Sequence, residues 1–206
     1  EAAAKYGAKP GEPKFLDHAT SDGSGKKTAN GGDGKIDDAD RIYLGSSYPE
    51  IMGTFNNTIT YKDWSLSFMF DGVFNKKAVN YNRLALIDPT PVEYGNLSRE
   101  ALYRWTPDFT DTNIPSLTSP VDSKLAISTF CIEDASFIRL REVTLSWQHN
   151  FASTFFLKKI RVYLTGNNLA TFTKYKGLNP DIWGVDNSWN LAPITRSYVM
   201  GINLPF

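Results

Sequence analysis

Asp33, Gly34, Asp37 and Asp40 are spaced like positions 5, 6, 9 and 12 of a calcium-binding loop. The three carboxylates would supply hard oxygen donors, and the glycine would supply the sharp turn. Positions 1 and 3 of that frame are Ala29 and Gly31, which bring no side-chain oxygen. Asp17 or Asp22 would have to substitute for them. The competing reading is an Asp-rich loop held by Asx turns, so calcium is the single cofactor the sequence raises. Gly23-Ser-Gly-Lys-Lys-Thr28 has phosphate-loop composition but fails the motif: Lys27 stands where Ser or Thr must hold magnesium, and no strand precedes it. His18 and His149 are the only histidines, and no Gly-x-Ser-x-Gly is present. No pair among the many carboxylates is singled out for glycoside hydrolysis, so an enzyme has no positive support.

Aromatic residues are the other candidates. Trp183, Trp189, Trp105, Tyr103 and Tyr175 fall in or beside segments without regular patterning. Aromatic rings can stack on sugar rings, and loops carry binding residues more often than scaffolds do. Trp183 and Trp189 are the leading ligand or partner contacts, followed by Trp105 and Tyr103. The alternative for each is loop packing or an interfacial girdle.

The 206 residues that must position these groups carry 22 basic and 22 acidic side chains, a net charge of zero. No run of Lys or Arg is longer than two residues, so nucleic acid is not an expected partner. Cys131 is the only cysteine and has no partner for an intrachain disulfide or a zinc site. No run of about 18 apolar residues exists to make a transmembrane helix. The opening Glu1-Ala-Ala-Ala-Lys5 lacks the features of a signal peptide, so an exported protein would carry its signal upstream.

Residues 1–50 read as a long loop rich in Gly and Asp. From Thr54 the chain alternates: Phe55, Asn57, Ile59 and Tyr61, then Trp64, Leu66, Phe68 and Phe70 after Lys62-Asp63. Two such runs joined by about two residues predict a hairpin. Residues 75–133 read as irregular, with a short helix expected over Leu97–Trp105 capped by Asn96 and the start of a strand over Ser128–Ile132. Alternation returns in Phe137–Gln148 and in Ile160, Val162 and Leu164. A loop follows from about Thr171 to Pro193, then a last strand with Tyr198, Met200, Ile202, Leu204 and Phe206 on one face. The connections therefore run long, short, long, short, long. In antiparallel order this puts the short turns and the C-terminus on one side and the long segments on the other, the pattern of a transmembrane barrel.

A soluble β-sandwich shows the same alternation, so periodicity leaves two readings: a barrel wall, or an extracellular carbohydrate-binding sandwich. The terminal strand favours the barrel, because soluble termini usually fray. The alternating set Tyr198, Met200, Ile202, Leu204 and Phe206 then resembles the signal that outer-membrane assembly machinery reads on barrel proteins.

Five segments together resemble the SusC/RagA family of TonB-dependent outer-membrane transporters. They are Gly32–Arg41 with Leu44-Gly45 and Pro49, Ile59–Ser67, Glu133–Trp147, Val162–Asp181, and the terminal strand. Most specific are Ser-Phe-Ile-Arg-Leu140 and the run Gly-Asn-Asn-Leu169 into Thr-Lys-Tyr-Lys-Gly177. Asn167, Asn168, Lys174, Tyr175 and Gly177 are expected to shape the rim where strand becomes loop. The resemblance implies an all-β fold: the C-terminal antiparallel strands of a barrel of about 22 strands with long extracellular loops. The whole chain, 1–206, would belong to that barrel segment, with the plug and earlier strands in another part of the transporter. It further implies uptake of glycan fragments or peptides, a SusD-like lipoprotein at the mouth, TonB acting through the plug, and lipid around the wall. The C-terminus would be periplasmic, in the outer membrane of a Gram-negative bacterium.

Overall fold

The computed structural model describes residues 8–18, 32, 34–87, 96–119, 123–151, 158–186 and 193–205. The chain divides into two compact units. One comprises residues 46–78, 134–184 and 190–206, and the other residues 1–45, 79–133 and 185–189.

The first of these is built on a five-stranded sheet. Its strands are β1 (Ile51–Tyr61), β2 (Trp64–Phe74), β5 (Phe137–Asn150), β6 (Lys159–Thr173) and β8 (Ser197–Asn203), in the spatial order β1-β2-β5-β6-β8. Every pairing is antiparallel. Lys62 and Asp63 alone join β1 to β2, with Lys62 at φ 52°, the left-handed conformation a tight hairpin demands. The four longer strands run 11, 11, 14 and 15 residues. That is enough to cross the hydrocarbon layer, which a tilted strand does in about 9–11 residues.

Register carries the alternation across the sheet. Ile59 faces Leu66, Leu66 faces Leu145, Leu145 faces Leu164 and Leu164 faces Met200. Because side chains alternate faces, the adjacent row on the opposite face is Thr58, Ser67, Thr144 and Thr165, hydroxylic until it ends on the apolar Val199. The register shifts once, where Arg141 of β5 is the extra residue against Met69 and Phe70 of β2 and lies opposite Asn168 and Leu169 of β6. Asn168 takes φ 52° at this bulge. Asn167 and Asn168 thus lie inside β6, not at a rim turn as expected from sequence. Their amides donate to Ser197 Oγ (3.1 Å) and Thr195 O (3.2 Å), tying down the chain as it enters β8.

The last strand is shorter than its alternation implied. It ends at Asn203, leaving Leu204 beyond it. Pro205 has no N–H to extend a ladder, and Phe206 lies outside the described residues. The expected loop after Thr171 begins at Thr173, the end of β6.

The other unit holds its own small core. Helix α1 (Tyr81–Ile87) is capped by Asn80, whose Oδ1 accepts from Arg83 N (3.2 Å). Leu84 packs with Leu125, Ala126 and Cys131, flanked by Val79 and Phe130. Leu125 and Ala126 belong to a helical turn, α2 (Ser123–Ala126). Arg83 bridges Glu100 and the Phe130 carbonyl while its guanidinium stacks 4.2 Å from the Phe130 ring. Strand β3 (Lys77–Asn80) pairs in parallel with β7 (Val185–Asp186) through Val79 and Asn80, and the small sheet runs β4-β3-β7 with β4 at Ile132–Asp134. The helix expected over Leu97–Trp105 is a 3₁₀ turn, Arg99–Tyr103, with Ser98 and not Asn96 at its cap. The strand expected from Ser128 starts only at Ile132. Ser128 Oγ takes the Leu125 carbonyl and the Phe130 N–H, which closes a turn instead.

Candidate functional site

The five-stranded sheet presents two chemically opposite faces. On one, Ile59, Leu66, Leu145, Leu164 and Met200 form a continuous apolar row with relative exposures from 36% to 71%. A sandwich would cover this face with a second sheet. Among the described residues nothing does. Aromatic side chains gather on the same face toward the short-turn edge. Tyr61 pairs with Trp64, and Trp64 with Trp147. Trp147 stacks on His149 (5.7 Å, 7°), and His149 meets Phe151 edge-on (5.0 Å, 82°). His149 Nδ1 also lies 3.6 Å from Asp63 Oδ2, at the turn end of this ring network. Tyr198, Met200 and Ile202, the described strand residues of the assembly set, lie on this apolar face at 69%, 71% and 59% exposure.

The opposite face is hydroxylic and charged. Thr58 bonds Ser67 (2.8 Å), Thr144 bonds Thr165 (2.8 Å) and Thr54 donates to Asp71 (3.2 Å). The bulge turns Arg141 onto this face, where Nη1 reaches Asp71 at 2.6 Å. Ser146 is buried on it. Tyr163 lies across Gly201, where an added Cβ would sit 2.4 Å from the phenol ring. A dry apolar face backed by a wet polar one is the signature of a barrel strand between lipid and lumen.

At the long-connection edge of the sheet, the two most specific motifs meet. Arg139 of the Ser-Phe-Ile-Arg-Leu segment is only 5% exposed. Its guanidinium donates to Thr171 Oγ1 (3.2 Å), Asn179 Oδ1 (3.2 Å) and Asp181 Oδ2 (3.4 Å) and stacks on Phe137. Tyr175 is buried against Ala78 and Ala135. A Cβ on Gly177 would lie 2.3 Å from the Tyr175 ring, so only glycine fits there. The Lys174–Gly177 motif thus folds the loop back onto the end of the sheet. Nearby, Asp134 accepts from both the amide and the hydroxyl of Ser136, and the hydroxyl bond above all holds its pKa below the usual carboxylate value.

Trp183 is 60% exposed, tilts against Tyr48 (6.0 Å, 57°) and overlies the ammonium of Lys76 at 5.1 Å. Lys76 is nearly fully buried and donates to the Pro180 carbonyl (3.3 Å). Burial pushes its pKa down, while Asp181 pushes it back up. Sequence reasoning missed Lys76 and Tyr48. Their signal would have been the flanking turn residues Asn75 and Pro49, which put them at strand ends. Trp189 lies outside the described residues. Trp105 and Tyr103 belong to the other unit. Trp105 is half-buried beside Gly11 and donates its backbone N–H to the Ile114 carbonyl (2.9 Å), whereas Tyr103 is 61% exposed. Trp105 lines an open cleft of about 990 Å³ with Phe15, Leu16, Tyr43, Ile127 and Phe130.

Asp37 and Asp40 close a capping box over the 3₁₀ turn Asp38–Asp40. Asp37 Oδ1 accepts from Ala39 N (2.8 Å) and Asp40 Oδ2 from Asp37 N (2.7 Å). Asp40 Oδ1 also accepts from His18 N (2.6 Å), and Asp17 Oδ2 from Gly34 N (2.8 Å). Asp33 lies outside the described residues. Among the described residues no cluster of three or more His, Cys, Asp or Glu forms a metal site.

These faces define a class of protein, the transmembrane β-barrel, of which this sheet is a stretch of wall. No protein-family model matches the chain. Curated relatives do. It is 29% identical over 190 residues to TonB-dependent receptor P3 of Formosa agariphila, which covers 85% of this chain and 18% of that receptor. It is 28% identical over 186 residues to TonB-dependent receptor SusC of Bacteroides thetaiotaomicron, with 85% and 17% covered. Among solved structures, the RagAB peptide importer in its open-open state matches with TM-score 0.70 and 32% identity over 81% of this chain and 18% of that one. The closed-closed state gives TM-score 0.72 and 30% identity over 88% and 20%. Within the barrel class, the chain is therefore similar to a segment of the SusC and RagA kind of TonB-dependent outer-membrane receptor, and it spans about one-fifth of those relatives' length. Those relatives are receptors and importers, not enzymes.

Proposed function

We propose that this chain forms the last strands of a TonB-dependent importer's barrel, with about 22 strands in the whole, and takes part in nutrient uptake without catalysis. The observation that carries this reading is the two-faced sheet: an uncovered apolar row from Ile59 to Met200 backed by a polar face. In this reading the apolar face meets lipid and the polar face lines the lumen. The long connections lie outside the cell, and the Lys62-Asp63 turn and the C-terminus lie in the periplasm. Both outer strands, β1 and β8, have an open edge in the sheet. Open edges are not tolerated in lipid, so strands from the rest of the receptor would pair with them. The cargo is a glycan fragment or a peptide. A SusD-like lipoprotein closes the mouth, and TonB acts through a plug in the lumen.

The test is a blot of fractionated native membranes with an antibody to the β8 segment. A band several times heavier than 23 kDa in the outer membrane, or a 23 kDa band that fractionates there with a heavier partner, supports the importer. A lone 23 kDa species in the soluble fraction sinks it and returns the sandwich reading.

A further inference from the structure

Two buried cations hold the loop after β6, and they are matched very differently. Arg139 meets oxygens of Thr171, Asn179 and Asp181 and stacks on Phe137. Lys76 is 1% exposed, and its ammonium has the Pro180 carbonyl at 3.3 Å and the Trp183 ring at 5.1 Å. Among the described residues no carboxylate is in ion-pair contact with it, since Asp181, whose charge reaches it, pairs with Arg139 (3.4 Å). An ammonium is compact and strongly hydrated, so burying it with so few partners costs stability. Burial accordingly pushes its pKa down. The turn that delivers Lys76 is costly too. Asn75, between the end of β2 at Phe74 and Lys76, takes the left-handed φ of 54°. Lys76 is then pinned through its own carbonyl, which accepts from Ala135 N (2.9 Å). Chain added from the rest of a receptor can only deepen this burial.

We propose that Lys76 is a positioning residue, whose ammonium fastens the loop 174–184 to the end of the sheet as a releasable strap and gives order to that loop without adding stability to the fold. Pro180 lies between Asn179 and Asp181, so the two cations grip three consecutive residues. Arg139 holds side chains of that trio. Of the two cations, only Lys76 bonds the main chain there, and it also meets the ring of Trp183, three residues further on. Side-chain contacts let a backbone swing about them, whereas a bond to the Pro180 carbonyl fixes its path. Tyr175 and Ile182, packed on the Ala78 and Ala135 cluster, mark the two ends between which the strap lies. An apolar side chain in place of Lys76 would fill the same space without the cost of desolvating a charge. Removing the ammonium should therefore loosen the loop and leave the sheet as stable as before, or more so. A residue that merely supported the fold would lower both together.

The experiment is hydrogen exchange read by mass spectrometry on the full-length receptor in detergent micelles, with a urea titration of the same samples. It compares wild type with Lys76→Met and Trp183→Leu. In Lys76→Met, exchange across 174–184 should quicken roughly tenfold, as the loss of one bond from a charged donor allows. Peptides from β5 and β6 should exchange as in wild type, and the urea midpoint should be equal or higher. Trp183 is 60% exposed, so Trp183→Leu removes the ring contact without opening the core. It should quicken exchange in the same segment by about two- to fivefold. Wild-type exchange across 174–184 in Lys76→Met overturns the proposal, and so does a lowered urea midpoint, which makes the ammonium a support of the fold. If Lys76→Met does not assemble, Trp183→Leu decides: faster exchange confined to 174–184 sustains the strap, and wild-type exchange there overturns it.

Discussion

Single side chains in this protein are mostly structural, and their chemistry can be tested one at a time. Cys131 is fully buried in the Leu84–Leu125 cluster, and burial pushes its thiol up to about 12. It should resist maleimide at neutral pH and label only after unfolding, which mass spectrometry of native and denatured samples would read. Asp134 is held below its ordinary pKa by Ser136. A carboxylate with a depressed folded pKa stabilises the fold above its unfolded pKa and loses that contribution as pH falls through the folded value. Ser136→Ala should therefore lower stability at neutral pH, and the gap to wild type should close as the pH falls below the carboxylate range. Urea titrations in detergent micelles at several pH values would show either behaviour. Asp40 spans two contacts, capping its own turn and accepting from His18. Asp40→Ala should raise hydrogen exchange at the amides of Asp37 and His18 while leaving the sheet protected.

At the scale of elements, alternation and register determine what each strand tolerates. Leu145 lies in the exposed apolar row between Leu66 and Leu164. Leu145→Arg should cost about 2–4 kcal/mol near the bilayer midplane, while Ser67→Arg on the polar face should stay within about 1 kcal/mol of wild type. Equilibrium unfolding in liposomes compares the two. Ser146 shares the polar face but is buried, so face alone does not predict tolerance. The loop after β6 obeys a tighter constraint. Gly177→Ala would drive a methyl into the Tyr175 ring and should destabilise the loop by about 1–3 kcal/mol, as overpacking does. Limited proteolysis between β6 and β8 would detect it.

For the whole molecule, the five strands have unpaired outer edges and cannot close. Expressed alone, the chain should fail to give a heat-modifiable, membrane-inserted band. Joined to the remaining receptor, it should give one. Electrophoresis of heated and unheated outer membranes separates the outcomes. Period-2 alternation, the Lys62-Asp63 turn and the order of long and short connections were all legible in the sequence, because strand periodicity and hairpin length are local properties. The motif resemblance placed the chain among SusC/RagA transporters on the same local evidence. Helix α1 was not legible. It spans only Tyr81–Ile87 and is held by an Asn80 cap and contacts to Leu125 and Cys131 some forty residues away, so no apolar period accumulates. Nor could alternation decide between a sandwich and a barrel wall, since both bury or cover the same apolar set. The terminal strand and the motif resemblance favoured the wall, and the folded sheet leaves that face open among the described residues. The bulge at Arg141, the meeting of Arg139 with Asn179 and Asp181, and the stack of Tyr48, Trp183 and Lys76 likewise join residues far apart in the chain. Local sequence determined the long strands and, away from the bulge, which face each of their residues takes. Tertiary contact alone decided which loops are rigid, which aromatics stay outside, and which polar groups meet.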